Sequence, residues 1–209
     1  MGNAELSDDP YNVIITGVGG QGNVLASRVL GNMLARKGLF VTIGESFGGT
    51  QRGGSVSSHI RISRDSTWSP QVPKGAAHVL VGLEATEAIR TLVDYGNRKI
   101  KVICNTRPIH PVGVIAGEIS YPSAQDIRKW MEELTEKTWF IDATDEAINL
   151  GSPVFGNIIL IGALSGIHVL PLDREDFEKV ISETISPEKV EINLRAYDLG
   201  ASMVSGRKL

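Results

Sequence analysis

Residues 16–22 read Thr-Gly-Val-Gly-Gly-Gln-Gly, between the apolar run Val13-Ile14-Ile15 and a stretch whose apolar residues recur every three or four positions. The β-branched run favours a short buried strand over Asn12–Thr16. After the glycines, Val24, Leu25, Val29, Leu30, Met33 and Leu34 form the stripe of an amphipathic helix that ends near Lys37, with Gly38 as its stop. Leu39–Ile43 is then a second strand. A strand that enters a helix through a tight turn and is followed by another strand is a βαβ unit, with parallel strands and a right-handed crossover. That commits the chain to an α/β layer.

The remaining sequence extends the pattern. Glu45–Gly54 is rich in glycine and polar groups and reads as a loop, followed by an alternating strand over Val56–Ser63. Further strands are expected at His78–Gly82, Lys101–Asn105 and Trp139–Asp142. Helices are expected at Ala85–Val93, at Ser123–Lys137 with Ser123 as N-cap, at Asp145–Leu150, at Asn157–Ser165, and at Arg174–Ile181 and Pro187–Met203. Thr106–Ser120, with its prolines and glycines, is a long connection. The expected fold is a Rossmann-like doubly wound α/β architecture, a mostly parallel sheet with helices on both faces. Residues 1–10 are read as a polar N-terminal tail and 11–209 as one domain.

Several function classes fall away. A formal charge of -3 gives no basic surface for nucleic acid. No apolar run approaches the ~18 residues of a membrane span, and the polar, acidic first ten residues do not resemble a signal peptide, so a cytoplasmic location is expected. Cys104 is the only cysteine, which rules out an internal disulfide and a thiolate-built zinc or iron–sulfur site within this chain. It lies in Val102-Ile103-Cys104 and reads as a buried small hydrophobe. His59, His78, His110 and His168 have no metal-ligand spacing and read as structural. Asp145 reads as a helix cap, and Trp130 and Trp139 as core or interface residues. Asn157 opens an apolar helix, as a cap or as a residue lining a site.

Gly17, Gly19 and Gly22 match the dinucleotide fingerprint, with Glu45 near the end of the second strand where a ribose-binding carboxylate would sit. The glycines allow a tight turn and close approach to a ligand, and the free N–H groups at a helix start favour an anion. A P-loop is excluded, because Gln21-Gly22-Asn23 stands where Gly-Lys-Ser/Thr is required. Gly20 and Gln21 are not demanded by a nicotinamide site; Gln21 could contact a phosphate, a backbone group or a neighbouring subunit. The second loop places Arg52 between two glycine pairs, suited to phosphate or carboxylate. Both loops should leave the same sheet edge and line one crevice.

Together, TGVGGQGNVLASRVLG, GESFGGTQRGGSVSSHIRIS and VFGNIILIGAL resemble the gamma domain of the 2-oxoacid:ferredoxin oxidoreductases, over Tyr11–Tyr197. At this length, the free-standing chain most resembles the beta subunit of the indolepyruvate type. The resemblance implies a complex that decarboxylates an aryl 2-oxoacid oxidatively, forms an acyl-CoA and reduces ferredoxin. It implies thiamine diphosphate, Mg and [4Fe-4S] clusters on a large alpha subunit, and a hetero-oligomer such as a dimer of heterodimers. This chain would carry no catalytic residue or metal and would be inactive alone. It would help to bind coenzyme A through Gly17, Gly19, Gly20, Gln21 and Gly22 of the first loop, and Ser46, Gln51, Arg52, Gly53 and Gly54 of the second. Arg52 would meet coenzyme A or dock against the partner. A pyruvate, 2-oxoglutarate or branched-chain substrate fits the same family. Two other readings stay open: an NAD(P)-binding Rossmann oxidoreductase and a non-enzymatic assembly module.

Overall fold

The structure, a computed structural model, describes residues 6–48 and 53–205. A six-stranded sheet has the order β2-β3-β1-β4-β5-β6, built from β1 (Tyr11–Val18), β2 (Phe40–Phe47), β3 (Ser55–Ser63), β4 (Val79–Gly82), β5 (Lys101–Asn105) and β6 (Lys137–Ile141). The pairs β1–β4, β4–β5 and β5–β6 are parallel. The pairs β1–β3 and β2–β3 are antiparallel. The sheet is thus mixed and mostly parallel.

The helices are α1 (Asn23–Arg36), α2 (Ala85–Tyr95), α3 (Val112–Ile115), α4 (Ala124–Leu134), α5 (Ala143–Asn149), α6 (Gly156–Gly166), α7 (Arg174–Thr184) and α8 (Val190–Val204). Strand periodicity assigns them to two faces. Val13 and Ile15 of β1 enter a core with α1, α6, α7 and α8, whereas Ile14 enters a separate core with α2 and α4. Ser123 does cap α4, its hydroxyl accepting from Asp126 N at 3.1 Å.

Two expectations change. The β1–α1–β2 unit does not place its strands side by side, because β3 lies between them, antiparallel to both. Glu45–Gly54 is not wholly a loop: β2 runs through Glu45, Ser46 and Phe47, which pair with Ser58, Ser57 and Val56. Gly48 N extends the hairpin by donating to Ser55 O at 2.6 Å. Backbone pairing with β3 holds this segment extended, although its side chains from Glu45 onward are exposed and show no apolar alternation.

Helix α6 is apolar on all sides because it is enclosed on all sides; Gly156 through Ser165 are buried. Its tightest neighbour is α8. A Cβ added at Gly162 would lie 2.0 Å from Tyr197 O, and one at Gly200 would lie 1.8 Å from Ile159 O. The two backbones touch, and this close packing holds the start of α6 beside the glycine turn.

Candidate functional site

The carboxyl ends of β1, β4, β5 and β6 come together at one edge of the sheet, where ligands bind in open α/β folds. The glycine turn leaves β1 here. Gly22, at φ 85°, is the left-handed N-cap of α1, a conformation that costs an L side chain roughly 1–2 kcal/mol. A Cβ at Gly22 would also sit 2.1 Å from Asn157 Nδ2. Asn157 stands in the first turn of α6 and donates from Nδ2 to Gly22 O at 3.2 Å. The starts of α1 and α6 are therefore joined by one hydrogen bond, and neither helix has an acidic residue in its first turn.

Gln21 contacts backbone. Its Oε1 accepts from Val18 N at 2.7 Å and its Nε2 donates to Leu83 O at 2.8 Å, tying the end of β1 to the end of β4. Asn105, at the end of β5, continues the brace: its Nδ2 donates to Leu83 O at 3.0 Å and to Thr144 Oγ1 at 2.9 Å. Asn105 Oδ1 accepts from Thr144 N at 3.2 Å, so α5 is capped from another strand. Neither Asp142 nor Asp145 caps it; Asp142 accepts from Thr106, and Asp145 accepts from Arg107 at 2.8 Å.

A cleft of about 560 Å³ opens between the glycine turn, the loop after β5 and the start of α6. Gly20, Gln21, Asn105, Thr144 and Asn157 supply its polar wall, and Leu83, Ile109, Ile148, Val154 and Leu160 much of its apolar wall. Arg107 is the one charged side chain lining it among the described residues, and it is paired with Asp145. Asn157 is only 2 % exposed, and its Oδ1 is buried without a donor. Asn23, next to Gly22, repeats this: Nδ2 donates to Val56 O at 2.9 Å and Oδ1 has no partner.

The second loop meets the first. Gly19 N donates to Gly54 O at 2.8 Å, and Gly53 N to Gly19 O at 3.4 Å. Gly53 and Gly54 thus back the turn, but they do not line the cleft. Ser46 is exposed in β2. Gln51 and Arg52 lie outside the described residues. Glu45 is separated from β1 by the whole of β3, about two strand spacings or ~10 Å, which is the wrong place for a ribose-binding carboxylate beside the glycine turn.

Three polar residues at this edge went unread in the sequence: Asn105, Thr144 and Glu84. Glu84 is fully buried after β4 and caps α2, accepting from Glu87 N at 2.9 Å, from Thr86 Oγ1 at 2.7 Å and from the Tyr121 hydroxyl. Burial, then the Glu84 carboxylate, push the Tyr121 phenol upward. The available signal was position, since each follows or ends a parallel strand. Cys104 is fully buried and burial pushes its thiol up, which suits packing and opposes nucleophilic use. His59 Nδ1 accepts from Val72 N at 3.2 Å and His78 Nδ1 from Asn12 N at 2.9 Å. Among the described residues no group of three His, Cys, Asp or Glu could hold a metal ion, and no helix is long and apolar enough to cross a membrane.

Residues 12–203 match the family model described as pyruvate ferredoxin/flavodoxin oxidoreductase. The chain is similar to the indolepyruvate oxidoreductase subunit IorB of Pyrococcus horikoshii, at 39% identity over 91% of this chain and 94% of that one. Its fold is similar to the pyruvate oxidoreductase subunit PORC of Thermotoga maritima, with TM-score 0.70 and 20% identity over 93% and 97% of the two chains. It is also similar to part of the 2-oxoglutarate:ferredoxin oxidoreductase of Magnetococcus marinus, solved with 2-oxoglutarate, coenzyme A and succinyl-CoA bound. The TM-score is 0.73 at 19% identity, covering 97% of this chain and 32% of that one.

Proposed function

Because the chain belongs to the pyruvate ferredoxin/flavodoxin oxidoreductase family, we propose that it works as the small subunit of an indolepyruvate-type 2-oxoacid:ferredoxin oxidoreductase and helps to bind coenzyme A. The subunit assignment is supported by the relatives named indolepyruvate oxidoreductase subunit IorB, matched over nearly their whole length. The single observation that carries the coenzyme A reading is the cleft itself. It lies at the carboxyl edge of the sheet, has a volume of about 560 Å³ and is lined in part by Gly20 and Gln21 of the glycine turn. The same fold forms about a third of a chain solved with coenzyme A bound.

The residues present fit coenzyme A. The walls are apolar with amide groups between them, and two helix N-termini without first-turn acids face the same edge. They do not fit an iron–sulfur cluster, since the one thiol is sealed in the core. In this reading thiamine diphosphate, Mg and the clusters belong to a large partner subunit, which supplies decarboxylation and electron transfer to ferredoxin. This chain's residues bind and orient the acyl acceptor: Gln21 and Asn105 fix the strand ends, Gly22 lets α1 begin against α6, and Asn157 bridges the two helices. Arg52, which lies between two glycine pairs in sequence, is proposed to contribute phosphate charge neutralisation or a partner contact.

Reconstitution tests this. The isolated chain should show no 2-oxoacid-dependent ferredoxin reduction, and adding the large subunit should restore coenzyme A-dependent turnover with an aryl 2-oxoacid. Turnover by the isolated chain, or a reconstituted complex indifferent to this chain, would contradict the reading.

A further inference from the structure

A second cavity, of about 360 Å³, opens at the opposite edge of the sheet, where the parallel strands begin. That volume suits a molecule of small-metabolite size. Residues at or before the starts of β1, β4, β5 and β6 set Asp8, His78, Lys101 and Glu136 along this edge in that order, with Lys99 close to Lys101 in sequence. Backbone pairing holds the middle two together, Lys101 N donating to His78 O at 3.0 Å. The amides of the wall are already engaged. Asn97 Nδ2 donates to Gly75 O at 3.0 Å and to Ala77 O at 2.8 Å, and its Oδ1 accepts from Lys99 N at 2.9 Å. Asn12 Nδ2 donates to Ala76 O at 2.9 Å, and its Oδ1 accepts from Arg61 Nε at 3.1 Å.

The charged groups remain open. Lys101 Nζ stands 3.4 Å from Glu136, and His78 Nε2 stands 3.7 Å from Asp8. These are the two longest contacts between a basic and an acidic side chain among the described residues; every other closes to 3.2 Å or less. A direct charge-assisted hydrogen bond is about 2.7–2.9 Å. Lys99 is exposed and has no ion-pair partner among the described residues. His78 Nδ1 accepts from Asn12 N at 2.9 Å, so in the neutral ring Nε2 carries the hydrogen, and Asp8 lies too far away to accept it. Two lysines set against two carboxylates leave the cavity neutral in sum and charge-separated in detail. A phosphate dianion meets repulsion from Asp8 and Glu136. A ligand carrying one charge of each sign matches both halves.

We infer that this cavity binds a small amino acid as its zwitterion, the carboxylate accepting from His78 Nε2 and the two lysine ammoniums and the α-ammonium donating to Asp8. Because Asp8 lies 3.7 Å from Nε2, a ligand carboxylate seated on the imidazole brings its own ammonium to Asp8. Glu136 holds Lys101 from the other side. The inference is independent of the coenzyme A reading, since the two openings lie at opposite ends of the parallel strands.

Calorimetric titration of the purified complex tests this. The probes are L-phenylalanine with 3-phenylpropionate and 2-phenylethylamine, and L-alanine with propionate and ethylamine; each analogue keeps one of the two charges. The tighter amino acid should bind saturably and at least about tenfold better than either of its analogues. Lys99→Gln, at an exposed position, is expected to fold normally and to weaken that amino acid about tenfold, the loss of one charged hydrogen bond. Lys179→Gln, on an exposed position of α7, should change nothing. Asp8→Asn separates recognition from structural damage, because it should weaken the amino acid and leave the carboxylate analogue as tight as before. The inference is overturned if neither amino acid binds saturably. It is overturned equally if Lys99→Gln binds as the wild type does, which places the ligand elsewhere in the complex. A carboxylate analogue that binds the wild type as tightly as its amino acid also overturns it, since the ammonium is then unread.

Discussion

Gly22 and Gln21 shape the same turn by different means. Gly22 supplies a left-handed φ and leaves no Cβ where Asn157 must lie. Gly22→Ala should cost about 1–3 kcal/mol from strain alone, read as a lower denaturant midpoint, and it should also weaken coenzyme A-dependent turnover. A wild-type midpoint would show that the turn is not held as described. Gln21 is read here as a brace, with two backbone bonds spanning β1 and β4. Gln21→Ala should therefore destabilise the isolated chain by about 1–3 kcal/mol; an effect on coenzyme A alone, with unchanged stability, would return it to ligand contact. Burial lowers the pKa of both His59 and His78, and each ring nitrogen Nδ1 is already accepting from a backbone N–H. The folded state therefore holds them neutral, whereas the unfolded chain takes up protons near pH ~6.5. Their contribution is full above that value and is lost as pH falls through the lower folded pKa values. The urea midpoint should be lower near about pH 5 than near about pH 7.5, and His59→Gln, which keeps an acceptor, should narrow the difference. A midpoint independent of pH would contradict this.

Among the elements, the legible ones were those whose periodicity reflects a single neighbour. The stripe of α1 faces one core, and its end at Arg36 before Gly38 follows from the stop signal. α6 was legible as an apolar helix, but its need for glycine was not, because Gly162 and Gly200 answer to a helix distant in sequence. Gly200→Ala should force α6 and α8 apart and cost on the order of 3 kcal/mol, as overpacking does; thermal unfolding unchanged from wild type would refute the backbone contact. The β2–β3 hairpin was hidden for a related reason. Glu45 and Ser46 are polar residues beside a glycine-rich stretch, while the ladder that makes them strand is backbone pairing to β3, continued by one bond from Gly48 N to Ser55 O. Strand order was hidden too, since nothing local in Val56–Ser63 says that it inserts between β1 and β2.

On the scale of the whole molecule, the site was half legible. The glycine turn announced itself, and the second loop does meet it through Gly19, Gly53 and Gly54. The other wall comes from Asn105, Thr144 and the start of α6, brought in by parallel strand order and long connections that leave no contiguous motif. The chain holds one sealed thiol and a largely neutral cleft, which suits the role proposed above, that of seating the acyl acceptor against a partner's chemistry. Hydrogen exchange on the purified complex, with and without coenzyme A, tests that directly. The account predicts slowed exchange in 17–22 and 144–160 of this chain when coenzyme A is added. Protection confined to the large subunit, with those two segments unchanged, would contradict it.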